Sequence, residues 1–257
     1  MLEGIRKLAW PVVELRLWQE WDEGDMPSVA RRVREAGVTV NSVHLPPESE
    51  RLLSTPGCGE AVQSLMDECL SAALEAGARV AVVHAWDLRL SQFSQSVMTE
   101  NLCRYFEAYS RSGVSLSVEA IPGHSALLPE VLRGCPGVAV TLDTQWACLE
   151  NSWRLFEQQK TRVNNVHVQT RVEIGGDGDV TLGRTNMGPG FDAESVVKGI
   201  AAGGYAGPVT LEPTGVPAIG ETEIRRALHK LDAWLQEIPV PAANMSETTR
   251  RAEAGSG

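Results

Sequence analysis

The sequence predicts an α/β protein folded as one parallel (β/α)8 barrel. Short Val-rich runs alternate with longer stretches of helical periodicity, a rhythm typical of successive parallel βαβ units. The short runs are apolar on both faces, as expected for strands buried on both sides. The chain has 257 residues, which suits a single barrel domain. We assign this domain to residues 1–237.

Seven strands can be placed along the chain. The predicted strands are residues 12–17, 38–45, 79–85, 115–120, 138–143, 163–169 and 208–212. A closed barrel of this kind has eight strands, and residues 1–9 look more like the end of a helix than a strand. We therefore expect the first strand to be absent or irregular. Direct approach of residues 12–17 to the last strand, or a partner chain, would then cover the exposed edges.

Helical stretches separate these strands. The predicted helices are residues 27–36, 60–76, 92–112, 126–132, 152–159, 194–202 and 221–237. Several end at a glycine, as at Gly37 and Gly77, because glycine readily adopts the left-handed conformation after a helix. The glycine-rich segment 171–190 predicts a long loop, either an active-site lid or a simple insertion. Residues 238–257 are rich in Pro, Ala, Ser, Glu and Gly and predict a disordered C-terminal tail.

Composition and charge limit the partners of the chain. The net charge of −10 disfavours nucleic acid, because phosphate backbones require a basic surface. No apolar run approaches the ~18 residues of a membrane span, and residues 1–10 lack the apolar segment of a signal peptide. The five cysteines show no CxxC spacing, which favours a reducing, cytoplasmic setting over a disulfide framework. Formation of a homo-oligomer stays open.

Ionisable residues stand at the carboxyl ends of the predicted strands, where barrel enzymes place their chemistry. These residues are His44, His84, Glu119, Asp143, His167 and Glu212. Such residues are costly on apolar strands unless they are paired with a neighbour or bound to a metal. Glu119, Asp143, His167 and Glu212 come from four successive strands. Three carboxylates and one imidazole suit one Mn²⁺, Mg²⁺ or Co²⁺ ion, and Zn²⁺ is also compatible.

The motifs around these residues resemble the xylose isomerase-like TIM barrel superfamily. They are SVEAIPG at 117–123, TLDTQWA at 141–147, NVH at 165–167 and GPVTLE at 207–212. That superfamily includes sugar phosphate isomerases and epimerases, inosose and dehydroshikimate dehydratases, and AP endonucleases of family 2. The resemblance implies that residues 1–237 form a catalytic domain in which Glu119, Asp143, His167 and Glu212 bind one divalent ion. It also implies that Glu119 and Glu212 are the catalytic acid–base pair.

Two motif positions depart from the usual pattern of this superfamily. Trp146 stands where a histidine usually follows the aspartate, and Thr170 stands where an aspartate usually follows the histidine. Arg184-Thr185 lies where the endonucleases carry an Asp-Arg-His triplet. The loss of these ligands argues against a trinuclear zinc cluster and phosphodiester hydrolysis. We expect Trp146 to exclude a second ion and to line the pocket; the alternative is packing against the next helix near Trp153.

Other polar and aromatic residues near strand ends are candidates for substrate binding. These candidates are His44, His84, Trp18, Trp86, Trp146 and Arg171. An aromatic wall can cover the apolar face of a sugar or a ring. The alternatives are ordinary packing on the barrel rim for the tryptophans and a place in the core for His44 and His84.

These observations predict a divalent-metal-dependent sugar or polyol isomerase or epimerase with a small-molecule substrate. A divalent ion held by a carbonyl and the adjacent hydroxyl acidifies the carbon between them, and one carboxylate removes the proton that another returns. Two alternatives remain. One is a dehydratase or lyase of the same fold, acting on a cyclic polyol or keto acid. The other is a catalytically inactive barrel that binds a ligand, which Trp146 and Thr170 favour and the four intact ligands oppose.

Overall fold

The computed structural model describes residues 10, 12–18, 24–84, 93–119, 128–149, 158–175, 180–183, 192–214 and 220–237. The strands are β1 (Val12–Arg16), β2 (Thr39–His44), β3 (Val80–His84), β4 (Ser115–Glu119), β5 (Ala139–Asp143), β6 (Val163–Ile174), β7 (Val180–Gly183) and β8 (Val209–Thr214). The helices are α1 (Met26–Glu35), α2 (Pro47–Ser54), α3 (Gly59–Ala76), α4 (Gln95–Arg111), α5 (Leu128–Gly134), α6 (Thr144–Leu149), α7 (Ala193–Ala202) and α8 (Glu221–Gln236). A 3₁₀ turn, Lys160–Arg162, precedes β6.

The strands form one sheet that is mostly parallel. Strands β1 to β6 pair in chain order, each parallel to the next, and β8 pairs parallel with β6. These seven strands are the seven predicted from the sequence. Although four strands separate β1 from β6, Glu14 of β1 lies 3.1 Å from His167 of β6. The sheet therefore curls around its interior, which is the arrangement of a TIM barrel.

The closure of the barrel lies partly outside the described residues. Among the strands that the structure describes, β1 and β8 do not form a ladder with each other. Residues 1–9, where an irregular or absent first strand is expected, are outside the described ranges, as is the expected disordered tail at 238–257. Most of the predicted helix 152–159 also lies outside them. These expectations stay predictions.

The glycine-rich segment 171–190 is not simply a loop, and that part of the sequence prediction is wrong. Strand β6 continues to Ile174, and β7 returns antiparallel to it, with Val172 opposite Leu182. Val172 and Val180 are buried, so alternate apolar side chains hold this hairpin against the fold. The many glycines of the segment hid this short alternation. Lys230 of α8 donates a hydrogen bond to the Val180 carbonyl at 3.0 Å and ties the hairpin to the last helix.

Two short helices were not predicted. Helix α2 begins with a proline in its first turn and carries Glu48 and Glu50 there, where the helix dipole favours negative charge. Helix α6 follows β5 directly and begins at Thr144. Both lack the several turns of apolar periodicity that identify a longer helix from sequence. Both lie at the carboxyl end of a strand or just after it, beside the polar cluster described below.

The core lies between the sheet and its helices. Helix α3 buries one apolar face, as its helical spacing predicts. The buried residues of this face include Val62, Leu65, Met66, Cys69 and Ala73. No helix among the described residues is both long and apolar enough to cross a lipid bilayer.

The end of α3 gives a direct test of the local backbone. Gly77 follows the helix with φ 73° and ψ 21°, a left-handed conformation that an L side chain adopts at a cost. Gly77→Ala should therefore lower the free energy of unfolding by about 1–2 kcal/mol. Gly59→Ala at the start of the same helix meets no atom within 4 Å and should raise it by about 0.4–1 kcal/mol. Urea unfolding measures both; equal effects would contradict the assigned backbone conformation.

Candidate metal centre

Six ionisable residues of the strand ends meet at one end of the sheet. His44, His84, Glu119 and Asp143 are the last residues of β2, β3, β4 and β5, and His167 and Glu212 lie within β6 and β8. In the sheet register His84 is opposite Glu119, and Asp143 is opposite His167. Parallel strands bring these side chains to the same edge because all their carboxyl ends point one way.

Glu119 is at the centre of this cluster. Its Oε2 atom lies 3.1 Å from His167 Nδ1, 3.3 Å from His84 Nε2 and 3.4 Å from His44 Nε2. Glu212 Oε1 lies 3.2 Å from the same Nδ1 atom of His167. The structure thus brings Glu119, His167 and Glu212, which the sequence grouped, around one point.

Asp143, the fourth predicted ligand, is the last residue of β5 and lies opposite His167 in the sheet, but it is in neither group of described residues whose ligand atoms lie within 4.8 Å of one another. Its Oδ1 atom accepts a hydrogen bond from the backbone N–H of Trp146 at 2.8 Å. Its Oδ2 atom is buried and has no hydrogen-bond partner among the described residues. Burial, and then repulsion by the Glu119 carboxylate, raise the pKa of Asp143 well above its usual value. A buried carboxylate oxygen beside other carboxylates is costly unless a cation or a proton compensates it.

The pKa values of the two glutamates move in opposite directions. Burial opposes ionisation of Glu119, but His167 and His84 outweigh it and hold its pKa well below the usual range. Burial, reinforced by the charges of Glu119 and Glu14, raises the pKa of Glu212 despite the attraction of His167. The Glu119 side chain is 3 % exposed and that of Glu212 is 30 % exposed. Glu119 therefore lies at the bottom of the site, and Glu212 lies nearer to solvent.

The donor set fits a hard divalent cation. Among the described residues, Glu119 Oε2, Asp143 Oδ2 and His167 Nδ1 are buried without a hydrogen-bond partner. Buried polar atoms in folded proteins normally have partners, so several such atoms at the same end of the sheet indicate that the site binds something. Carboxylate oxygens with one imidazole suit Mg²⁺, Mn²⁺ and related ions. His44, Glu119 and His167 also offer ligand atoms within 4.8 Å of one another, and so do Glu14, His167 and Glu212.

His44 and His84 lie in the cluster and not in the apolar core. The Nδ1 atom of His44 is 3.0 Å from the Leu45 carbonyl, and that of His84 is 2.6 Å from Glu50 Oε1. In each case this contact turns the Nε2 atom towards Glu119. Burial lowers the pKa of His84, but Glu119 and Glu50 outweigh burial and raise it to about 10. That both histidines contact substrate stays a prediction.

Glu50 and Glu14 were missed by sequence reasoning. Glu50 stands in the acidic start of α2, a stretch typical of a solvated surface. Glu14 is in the middle of β1 and not at its end, so a search of strand ends passes over it. Its side chain is only 7 % exposed and lies 3.1 Å from His167 Nε2. The signal was present in the sequence: one carboxylate inside an otherwise apolar run is costly without a partner.

The remaining predicted residues lie around the site or outside the described ranges. Trp18 is 43 % exposed, and the Arg16 guanidinium lies 4.9 Å from its ring centre. Arg171 follows His167 by four residues on β6 and lies 3.6 Å from Glu173. Trp146 is half-buried on α6, where its backbone holds Asp143. Trp86 and Trp153 are outside the described residues.

Comparison with known proteins identifies relatives of this fold. A family model described as a xylose isomerase-like TIM barrel matches residues 3–237. A solved L-ribulose 3-epimerase shares 15 % identity with a TM-score of 0.70, covering 100 % of this chain and 91 % of that one. A sugar phosphate isomerase/epimerase from Parabacteroides distasonis shares 17 % identity with a TM-score of 0.66, covering 94 % of this chain and 90 % of that one. An AP endonuclease of family 2 from Brucella melitensis shares 19 % identity with a TM-score of 0.66, covering 89 % of this chain and 92 % of that one. No curated protein matches the chain. At these identities the structural likenesses show the fold alone.

Proposed function

The chain belongs to the xylose isomerase-like TIM barrel family, and from this premise we propose that it is a divalent-metal-dependent isomerase or epimerase of a sugar or polyol. The observation that carries the proposal is the approach of Glu119 and Glu212 to one nitrogen of His167, at 3.1 and 3.2 Å. The solved epimerases of the same fold add support to this assignment.

Glu119, Asp143, His167 and Glu212 would hold one ion, with Mn²⁺, Mg²⁺ or Co²⁺ favoured and Zn²⁺ compatible. The unpartnered oxygens of Glu119 and Asp143 support this assignment. A bound divalent ion supplies stabilisation of the negative charge that develops on oxygen when a proton leaves the carbon beside a carbonyl.

The two glutamates are suited to exchange protons with the substrate. Glu119 stays ionised because His167 and His84 lower its pKa against the effect of burial, so it can accept a proton. Glu212 has a raised pKa, mainly from burial, so it is more readily protonated and can act as the acid. Two carboxyl groups with pKa values shifted apart are a common arrangement for an acid–base pair. Return of the proton to the opposite face of the same carbon gives an epimer, and delivery to the neighbouring carbon gives an isomer.

A dehydratase of the same fold is the second candidate, and His84 favours it. Its Nδ1 atom contacts Glu50, and its Nε2 atom lies 3.3 Å from Glu119. With a pKa raised to about 10 by Glu119 and Glu50 against burial, the imidazole carries a proton at neutral pH. A protonated imidazole beside the base could assist departure of a β-hydroxyl group.

A panel of ketoses and inososes in D₂O separates these functions. An epimerase produces a new isomer that carries deuterium at the carbon from which the proton was removed, and an isomerase places the deuterium on the neighbouring carbon. A dehydratase releases water and forms an unsaturated product that absorbs ultraviolet light. If the metal-loaded protein binds a sugar or polyol but exchanges no carbon-bound hydrogen on any of them, it is a ligand-binding barrel and the proposed function is wrong.

Trp146 stands where a histidine usually follows the aspartate, and we expect it to exclude a second ion. An indole offers one N–H donor and no lone pair for a metal. Trp146→His should therefore raise the metal content from about one ion to about two, or admit a more polar substrate, while Trp146→Ala should mainly weaken substrate binding. The backbone contact to Asp143 is independent of the side chain and should persist in both variants. Elemental analysis measures the metal content.

Trp18→His is the matched control, because Trp18 is 43 % exposed and stacks with Arg16. That variant should retain about one ion. If Trp146→His and Trp146→Ala both leave metal content and substrate preference unchanged, the indole does not line the pocket.

A further inference from the structure

Glu14 contacts the Nε2 atom of His167, whereas Glu119 contacts its Nδ1 atom. The Glu14 Oε2 atom accepts hydrogen bonds from Ser42 Oγ at 2.7 Å and from Asn165 Nδ2 at 3.2 Å. The same oxygen lies 3.1 Å from His167 Nε2. Three groups from β2 and β6 thus surround one carboxylate oxygen of β1. TIM-barrel interiors are usually filled by branched apolar side chains, so this buried polar group requires an explanation.

The contacts of Glu14 determine which nitrogen of His167 carries hydrogen. The Ser42 hydroxyl and the Asn165 amide both donate to the Glu14 carboxylate, which favours its ionised form. The Asn165 amide nitrogen also lies 3.0 Å from His167 Nε2. A hydrogen bond from this amide would need a lone pair on Nε2, but the amide already donates to Glu14. The ionised carboxylate at 3.1 Å requires a donor, so we assign the hydrogen to Nε2.

This tautomer leaves the lone pair of His167 on Nδ1. That atom lies 3.1 Å from Glu119 Oε2 and 3.2 Å from Glu212 Oε1. A lone pair beside two carboxylates is unfavourable unless a proton or a metal cation lies between them. The approach of Nδ1 to the two carboxylates therefore marks a candidate coordination point.

We propose that Glu14 is a positioning residue that commits His167 to bind the divalent ion through Nδ1 and strengthens that bond. The inference rests on the proposed metal site and adds Glu14 as the hydrogen-bond partner of its histidine ligand. A carboxylate that accepts the second ring N–H of a ligating histidine fixes the tautomer and the ring orientation and makes the imidazole more basic. Ser42 and Asn165 in turn hold the carboxylate.

The alternative is that Glu14 is itself a ligand. Glu14, His167 and Glu212 offer ligand atoms within 4.8 Å of one another, which would place an ion on the Nε2 side of the imidazole. Two observations oppose this arrangement. The Glu14 oxygen already accepts from Ser42 and Asn165, whereas His167 Nδ1 and Glu119 Oε2 have no hydrogen-bond partner among the described residues. Of the candidate ligand atoms, the unsatisfied ones are therefore on the Nδ1 side; the amide oxygen of Asn165 is also buried without a partner among the described residues.

Calorimetric titration of the metal-free full chain with Mn²⁺ tests the role of Glu14. Glu14→Gln keeps the shape of the side chain and removes its charge, so it should weaken Mn²⁺ binding roughly 10–100-fold. Glu75→Gln removes the same charge from a surface pair with Arg31 and should bind Mn²⁺ as the unmodified protein does. Equal affinities for Glu14→Gln and Glu75→Gln would overturn the proposal. A merely structural Glu14 would lower stability without lowering the affinity of the folded protein.

Nitrogen-15 NMR of the Zn²⁺-loaded protein is a second test that needs no variant. The proposal expects His167 to bind Zn²⁺ through Nδ1 and to retain a hydrogen on Nε2 that exchanges slowly with solvent. Binding through Nε2 would overturn the proposal and favour Glu14 as a direct ligand. Glu212→Gln separates this outcome from failure of the proposed function. If that variant, Glu14→Gln and the unmodified protein all bind Mn²⁺ equally, or none binds it, the metal site itself is wrong.

Discussion

Glu212→Gln should abolish turnover on the true substrate while leaving the fold intact. The substitution keeps the shape of the side chain but removes a negative ligand and a proton-transfer group, so the expected loss is roughly 10²–10⁴-fold from proton transfer alone. The Glu212 side chain is 30 % exposed, so a neutral amide there should be tolerated. Steady-state kinetics with the substrate found in the ketose and inosose panel measures the loss, and circular dichroism reports the fold.

Glu221→Gln is the matched control for this prediction. Glu221 is in the first turn of α8 and pairs with Arg225 at 2.9 Å on the surface. It should turn over at the rate of the unmodified protein. Comparable rates for Glu212→Gln and the unmodified protein would remove Glu212 from the mechanism.

Removal of the metal should give the second large effect, on stability. An ion that binds only the folded chain, at 100 times its Kd, stabilises it by about 2.7 kcal/mol. For a chain of 257 residues this corresponds to roughly 5–10 °C in Tm. The expected shift has a local cause, because Glu119, Asp143 and Glu212 are like charges that destabilise one another without a cation.

Thermal unfolding with EDTA and with excess Mn²⁺ measures this shift. Glu212→Gln should lose most of it, whereas Glu221→Gln should retain it. An identical Tm with and without Mn²⁺ would mean that no ion binds the folded chain specifically.

Much of the fold follows from local patterns in the sequence. The seven parallel strands and helices such as α3 were predictable because buried parallel strands form short apolar runs and amphipathic helices repeat every few residues. The β6–β7 hairpin was not, because Val172, Val180 and Leu182 stand among glycines that dominate the composition of the segment. Helices α2 and α6 are too short to show a full apolar repeat.

The candidate site was likewise predictable only in part. Residues at the ends of strands were predictable, because parallel topology alone brings Glu119 and Asp143 to the same edge as His167. Glu14 was not, because its importance depends on the curl of the sheet, which places β1 opposite β6. Nor was Glu50, since only the direction of α2 turns it from a solvated acidic run towards His84. Contacts that cross the barrel depend on tertiary geometry that no single strand encodes.

The most direct test of the account is a crystal structure with Mn²⁺ bound and an anomalous map at the site. We expect one anomalous peak per chain, roughly 2.0–2.3 Å from oxygens of Glu119, Asp143 and Glu212 and in contact with His167 Nδ1, with Glu14 beyond the imidazole. A peak between Glu14 and His167 Nε2 would contradict the assignment of Glu14 as an outer partner. Absence of any peak among these side chains at saturating Mn²⁺ would contradict the central claim that the strand ends form a divalent-metal site.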